Sequence, residues 1–382
     1  MPHLDTHEYP GHGYPGSMRR FWPALGLLCL LVSVFPALGD APPQEPASEA
    51  FLASIEVSPK LQAALDVIVK DLRTGDVRLR QQTIRVALID LPPGSATEGG
   101  GEPPRLAHWN GDSPVYPASV PKFVYLMAAY AWRDEGRLEI DPAFERQLRA
   151  MIYRSSNRAT QRVVSRLTLT EPGERLDPEP YAEFAYRRQA VKRWLGRLGI
   201  EDLHTVHPTY DGGGDLHGRD LQFLEDKNVV GSLPDQKGPY FNRQAMTANA
   251  SARLLALLAE DLALSPKSSN EVREHMRRDP RKQPYLRYRI AGGVEPEDET
   301  FEVFSKTGTW GPIFADAGIV RRKTDGHQMV VVAFLEARPG SAAYRGSFIA
   351  KLTRAAVRRL FTEAEATRGP PYTRGPRAGA RD

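Results

Sequence analysis

Apolar residues recur at helical spacing between Ser58 and Arg73, where Leu61, Leu65, Ile68, Val69 and Leu72 fall on one face. The period then changes. Thr83 to Leu91 is β-branched and aliphatic and is closed by Pro92-Pro93-Gly94, which predicts a strand and a turn. A loop through Gly99–Gly101 leads to Arg105–Trp109, a second predicted strand. From Tyr116 to Leu264 helical spacing dominates, with stripes over 122–135, 143–153, 158–167, 182–198 and 246–262. Residues 203–245 interrupt them with an Asp- and Gly-rich stretch of weak period. Strands are predicted again at Thr300–Phe304, Phe314–Arg321 and Gln328–Leu335, and a final helix at Ser341–Phe361.

Strands on either side of a helical insert usually pair into one sheet, and the insert forms a second lobe. The short connections among the last three strands suit antiparallel pairing. The pattern predicts an α/β (α+β) fold: a three-layer α-β-α sandwich on a mainly antiparallel five-stranded sheet, plus an all-helical lobe. The α/β lobe takes residues 56–115 and 265–362, and the helical lobe takes 116–264. Together they make one domain over 56–362, with its ligand cleft expected between the lobes.

The ends read differently. Met18-Arg19-Arg20, the apolar run Phe21–Leu38 and the small residues of Ala37-Leu38-Gly39 have the order of a signal peptide. Residues 1–39 are therefore read as an N-terminal extension and signal peptide, with Met18 an alternative start. A membrane anchor is the competing reading, but Pro23 and Pro36 leave the run short for a span. A periplasmic or secreted protein without a stable membrane span is expected. Residues 40–55 read as a Pro-rich linker and 363–382 as a disordered basic tail.

Composition narrows the chemistry. The chain has 382 residues, 41% hydrophobic and 26% charged, which is enough for a sizeable core. A net charge of +4 without basic clusters does not indicate a nucleic-acid partner. The single cysteine, Cys29, excludes an intramolecular disulfide and a cysteine-ligated cluster. No Gly-x-Gly-x-x-Gly or P-loop pattern occurs.

Three short motifs carry the functional signal. Ser119-Val120-Pro121-Lys122 opens an apolar helix, and Ser119 is the only serine with a lysine three residues on. Positions i and i+3 share a helix face, so the hydroxyl and the amine can meet. A serine needs such a base to become a nucleophile, and a lysine serves when burial lowers its pKa. The bland alternative is a capping serine beside a surface lysine. Ser155-Ser156-Asn157 joins two helical stripes and puts a hydroxyl and an amide on one side of a turn. A second copy, Ser268-Ser269-Asn270, is followed by Glu271 and reads as a capping box. Lys306-Thr307-Gly308-Thr309 lies at the end of a predicted strand, where a cation and two hydroxyls suit a carboxylate and Gly308 allows close approach. The N–H groups of Ser119 and Thr309 are candidate oxyanion donors. His204, His207, Asp211 and His217 lack metallo-hydrolase spacing, so neither a metal nor an organic cofactor is expected.

Ser-x-x-Lys, Ser-x-Asn and Lys-Thr-Gly in this order resemble the serine hydrolases of the class A β-lactamase and penicillin-binding protein superfamily. The resemblance runs from about Ser58 to Phe361 and includes Gln244-Ala245-Met246-Thr247, read as opening a long helix. It implies that Ser119 is acylated, that Lys122 is or assists its base, and that Ser155 relays a proton. It also implies that Asn157 orients a substrate amide and that Lys306, Thr307, Gly308 and Thr309 bind the carboxylate or oxyanion. The implied substrates are β-lactams or the peptidoglycan stem peptides they mimic, acted on by a monomer. A D-Ala-D-Ala-type peptidase and a non-catalytic peptidoglycan-binding relative are the alternatives. The chain departs from class A in one respect that bears on turnover. The Glu-x-x-Leu-Asn motif that supplies the deacylating base is absent, and no glutamate lies between Asp202 and Glu225. Asp211 is the nearest substitute.

Overall fold

The computed structural model describes residues 45–96, 101–208, 217–228, 242–294 and 300–362. The predicted signal peptide, the basic tail and Asp211 lie outside them. In chain order the elements are α1 (Glu45–Ser54), β1 (Glu56–Val57), α2 (Pro59–Gly75), β2 (Gln82–Leu91), β3 (Arg105–Trp109), α3 (Lys122–Asp134), α4 (Pro142–Tyr153), α5 (Asn157–Thr168), α6 (Pro178–Arg188) and α7 (Ala190–Arg197). These are followed by β4 (Leu203–His204), α8 (Gly218–Glu225), β5 (Ala245–Met246), α9 (Ala248–Ala259), α10 (Pro266–Met276), β6 (Phe301–Trp310), β7 (Ile313–Arg322), β8 (Gln328–Ala337) and α11 (Phe348–Val357).

The sheet runs β1-β3-β2-β8-β7-β6 and is antiparallel except where β1 pairs parallel with β3. It thus has six strands rather than five, because Glu56–Val57 is too short to show a period of two. Its long strands are covered on both faces, and alternate residues go to different cores. Ile84, Val86 and Leu88 of β2 pack under α2 and α11. Ala87, Ile89 and Leu91 pack under the helical lobe, with α3 and α9. That double burial is why these strands read as continuous apolar runs.

Three further sequence expectations need correction. The linker is helical over α1: Pro46 is tolerated in a first turn, and Phe51 and Leu52 enter the main core. The 182–198 stripe breaks at Gln189 into α6 and α7. The reason lies in the packing. Phe184 of α6 joins a small cluster with Val206 and Phe223, whereas Val191, Trp194 and Leu195 of α7 join the main core. The capping box at Ser268 is not formed. Ser265 caps α10 by accepting from the Ser268 N–H at 3.2 Å. Ser268 Oγ instead donates to Asp134 Oδ1 at the far end of α3.

Candidate active site

Ser119 sits on a tight turn that feeds α3, two residues before the N-cap Pro121. Val120 N–H donates to Pro117 O and Lys122 N–H to Ser119 O, so the turn has i→i+3 character. Such a turn eclipses i and i+3, which aims Ser119 and Lys122 the same way. Ala118, just before the serine, has φ of 52°, and Ser155 has φ of 56°. Left-handed backbone at residues with a side chain costs energy that the surrounding packing must supply, and it is found at functional sites more often than elsewhere.

Lys122 is fully buried, and its amine is the hub. Nζ lies 3.1 Å from Ser119 Oγ, 2.7 Å from Ser155 O, 3.3 Å from Ser155 Oγ and 2.7 Å from Asn157 Oδ1. Lys306, also fully buried, reaches the same Ser155 hydroxyl from β6 at 3.1 Å and donates to Thr307 O at 2.7 Å. The three motifs therefore share one site, and Ser155 Oγ is common to both lysines. Ser156 is the N-cap of α5, accepting from Ala159 N–H at 3.2 Å, which frees Ser155 to face the lysines.

The Lys-Thr-Gly motif is inside β6, not at its end. β6 stays paired with β7 through Trp310↔Ile313, and it is the sheet's outer strand. On this strand Gly308 meets the serine turn closely. A Cβ there would stand 2.7 Å from Pro117 O and 2.9 Å from Val120 Cγ2. Gly308→Ala is expected to cost about 1–3 kcal/mol of stability, as overpacking does. Thermal or denaturant unfolding measures this, and a variant as stable as wild type refutes the close contact.

Sequence reasoning missed the residues that hold these motifs in place. Buried Arg278 donates from Nε to Ser305 O at 2.8 Å and from Nη2 to Ile152 O at 3.2 Å, tying β6 to the end of α4 just before Ser155. Buried Arg289 donates to Ala315 O at 2.6 Å and to Thr309 Oγ1. Asp316, opposite Thr307 in β7, accepts from Ile290 N–H at 3.0 Å. The resulting field is cationic. Desolvation first, then the charges of Lys122 and Arg278, hold the Lys306 amine well below its usual range against the pull of Asp316. Burial pushes Arg289 down to about 10, with Asp316 opposing, and the Asp316 carboxyl is pushed up by its own burial.

The segment expected to carry the deacylating base is tethered to α3. Tyr125 Oη donates to His207 O at 2.7 Å, and Gln244 Nε2 donates to the same oxygen. His204 is buried beside Lys192, and its imidazole is pushed down to about 4, by desolvation chiefly. It is neutral at pH 7 and a weak base. Thr247, rather than starting a helix with Gln244, caps α9 after the short β5.

The sequence model of the beta-lactamase enzyme family matches residues 144–360, a span that holds Ser155, Asn157 and Lys306–Thr309 but not Ser119 and Lys122. No curated protein matches the chain. Among solved structures, a β-lactamase from Sphaerobacter thermophilus superposes with a TM-score of 0.51 at 19% identity, covering 77% of this chain and 96% of that one. An ancestral class A β-lactamase gives 0.50 at 19%, covering 75% and 98%. A point mutant of PBP-A, in an acyl-enzyme complex with penicillin G, gives 0.50 at 18%, covering 78% and 97%. At these identities the likeness is one of fold.

Proposed function

This chain belongs to the beta-lactamase enzyme family, and from that membership and the geometry above we propose that it is an exported serine hydrolase acylated by β-lactams at Ser119. The observation that carries the reading is the shared hydroxyl. Ser155 Oγ stands between Lys122 Nζ, which also reaches Ser119 Oγ, and Lys306 Nζ. Export rests on the order of charge, apolar run and small residues over 18–39.

The chemistry follows from the donor count. To act as the base Lys122 must be in its neutral form, with two N–H donors and one lone pair, whereas it is its charged form that depresses Lys306. The two shortest contacts of Lys122, both 2.7 Å, go to acceptors that cannot donate, Ser155 O and Asn157 Oδ1. In that form the lone pair accepts the Ser119 proton across the 3.1 Å contact, with Ser155 Oγ the next hydroxyl at 3.3 Å. Ser119 Oγ attacks the lactam carbonyl and passes its proton to Lys122 Nζ. The C–N bond breaks, and the proton reaches the departing nitrogen through Ser155 Oγ. Backbone N–H groups of Ser119 and Thr309 face the developing oxyanion, and Lys306 with Thr307 holds the substrate carboxylate. The test is a mass increment of one intact penicillin on the peptide that carries Ser119. No increment at any residue would leave the non-catalytic peptidoglycan-binding reading.

A second reading, a D-Ala-D-Ala-type peptidase that β-lactams inhibit, is favoured by the missing Glu-x-x-Leu-Asn motif. It shares the acylation step and differs in what removes the acyl group.

The pH dependence of acylation tests the role given to Lys306. Its charged form is the one that binds a carboxylate, and its pKa is depressed. The attraction is therefore present at low pH and is lost as pH rises through that depressed value. The alkaline limb of the second-order acylation rate, which reports the free enzyme, is expected well below the ordinary lysine range. Lys306→Arg should move that limb upward. A limb at the usual lysine pKa, unmoved by the substitution, rejects the assignment.

A further inference from the structure

We infer that Arg278 is a positioning residue for the acylation step: its guanidinium joins the strand that carries Lys306 to the helix end that leads into Ser155, and it sets an unneutralised positive charge beside Lys306. The inference rests on the reading of Ser119 as the acylated residue and adds a residue that no motif of the sequence points to.

Arg277 and Arg278 are neighbours with opposite surroundings. The chain after α10 runs along the outer edge of β6, where Arg277 pairs with Phe304 and Arg278 N–H donates to Val303 O at 2.8 Å. Successive residues of such a segment point to opposite sides. Arg277 is exposed and meets two carboxylates, Glu274 and Glu302. Arg278 turns inward and is 6% exposed. There Nε takes the next outward carbonyl of the strand, Ser305 O, at 2.8 Å, and Nη2 crosses to Ile152 O at 3.2 Å. Ile152 lies in the last turn of α4, where free carbonyls and the helix dipole favour a cation. One planar fork thus spans the two elements whose side chains meet in the 3.1 Å contact of Lys306 with Ser155.

The charge of Arg278 needs a reason of its own. Its hydrogen bonds go to carbonyls, and Nη1 is buried with no hydrogen-bond partner among the described residues. Asp279, next in sequence, accepts from Arg281 instead. Burial pushes the Arg278 pKa down, opposed by Tyr285, Asp316 and Tyr153, yet a guanidinium stays charged. A buried charge without a carboxylate is expensive, and buried charges are ordinarily paired. Beside Lys306 this one has a use. After desolvation, the groups that act on the Lys306 amine are Lys122 from α3, Arg278, Asp316 from β7 and Arg289 from the segment before β6. Once Lys122 is neutral, as the base must be, Arg278 is the first of the remaining cations that loosen the Lys306 proton. Lys306 therefore gives up its charge, and with it its hold on a carboxylate, at a pH that Arg278 helps to set. A purely structural tie would need the two hydrogen bonds but not the charge.

Two substitutions separate the charge from the tie. Arg278→Gln removes the charge and Arg278→Lys keeps it, while neither side chain spans both carbonyls. The first readout needs no substrate. It is the Cε resonance of Lys306 in carbon-13 lysine-labelled protein, assigned with Lys306→Arg and followed with pH. Taking away a nearby cation favours the charged amine, so Arg278→Gln should raise the titration midpoint by about 0.5–1 pH unit, and Arg278→Lys should leave it in place. The second readout is the second-order rate of acylation by benzylpenicillin across pH. Its alkaline limb should move with the midpoint in Arg278→Gln only. Its plateau should fall by about 10-fold in both, because Ser155 is no longer fixed against Lys306. A midpoint unmoved in Arg278→Gln, or a plateau unchanged in Arg278→Lys, overturns the role. If Arg278→Gln does not fold, Arg278→Lys decides alone: an unmoved midpoint with a lowered plateau supports the role, and a midpoint that rises toward the ordinary lysine range overturns it. If wild type forms no adduct but the midpoint moves as expected, the Ser119 reading falls and the charge assigned to Arg278 stands. If adducts form and neither readout moves, the role of Arg278 alone falls.

Discussion

Ser119→Ala is expected to take up no benzylpenicillin, while wild type gains one equivalent within the same exposure. The effect should be complete because the lost atom is the one that forms the bond. No neighbour can take over. The Ser155 hydroxyl is held by both lysines. Lys122 Nζ is committed to Ser155 O and Asn157 Oδ1. The fold should survive, since removing a half-buried hydroxyl opens no cavity and Ser119 Oγ is not the donor that any backbone group of the turn depends on. Intact mass and a thermal melt, run together, check both parts. An adduct of unchanged yield on the alanine variant, with peptide mapping to another serine, would end the assignment. Lys122→Met should instead slow labelling by about 10²–10⁴-fold, the usual contribution of a positioned base, without abolishing it.

What can be read from the chain is whatever is local. The Ser58 cap of α2 and the apolar stripe behind it are encoded within a few residues, and the helix begins where they predict. The strand runs of β2, β7 and β8 are visible because both their faces are buried. The three motifs are recognisable because each has a fixed internal spacing and stands on the element type it needs. Features set by distant partners are not visible. α1 reads as a linker because of its prolines, and its reward, burial of Phe51 and Leu52 beside α9, comes from residues some two hundred positions away; Arg253 Nη1 donates to Leu52 O at 2.7 Å. α10 is hidden by its weak stripe and many charges, and its Arg273 is buried only because Leu258 O and Asp261 accept from it. Arg278 and Arg289 read as two more arginines in a basic stretch. Nothing in their neighbourhood says that one ties α4 to β6 and the other braces Thr309. Lys-Thr-Gly reads as a strand end because a glycine such as Gly308 ordinarily weakens a strand. Here its missing side chain is what lets β6 continue past the Ser119 turn.

With a chromogenic cephalosporin the protein is expected to show a burst of about one equivalent followed by slow turnover. The reasoning begins with what the second step needs. Acylation uses a base already in contact with the nucleophile, Lys122 at 3.1 Å. Hydrolysis of the ester needs a different group to orient and deprotonate a water on the exposed side of Ser119. In class A relatives that group is the glutamate of a motif this chain lacks, and no glutamate occurs between Asp202 and Glu225. A correctly placed general base is worth about 10²–10⁴-fold, or roughly 3–5 kcal/mol of barrier, so its loss makes the second step rate-limiting. His204 is a poor replacement, because its depressed pKa makes it a weak base and its ring is buried. Asp211 is the substitute we propose, as the acidic residue nearest the sequence position where the class A glutamate is expected. It lies four residues after His207, whose carbonyl is fixed by Tyr125 on α3, one turn beyond Lys122. Asp211→Asn should therefore leave the burst amplitude at one equivalent and lower the steady-state rate by about 10- to 100-fold, a modest form of the general-base effect. Rapid turnover with no burst, indifferent to Asp211→Asn, would show that another group activates the water and that the acyl-enzyme is short-lived.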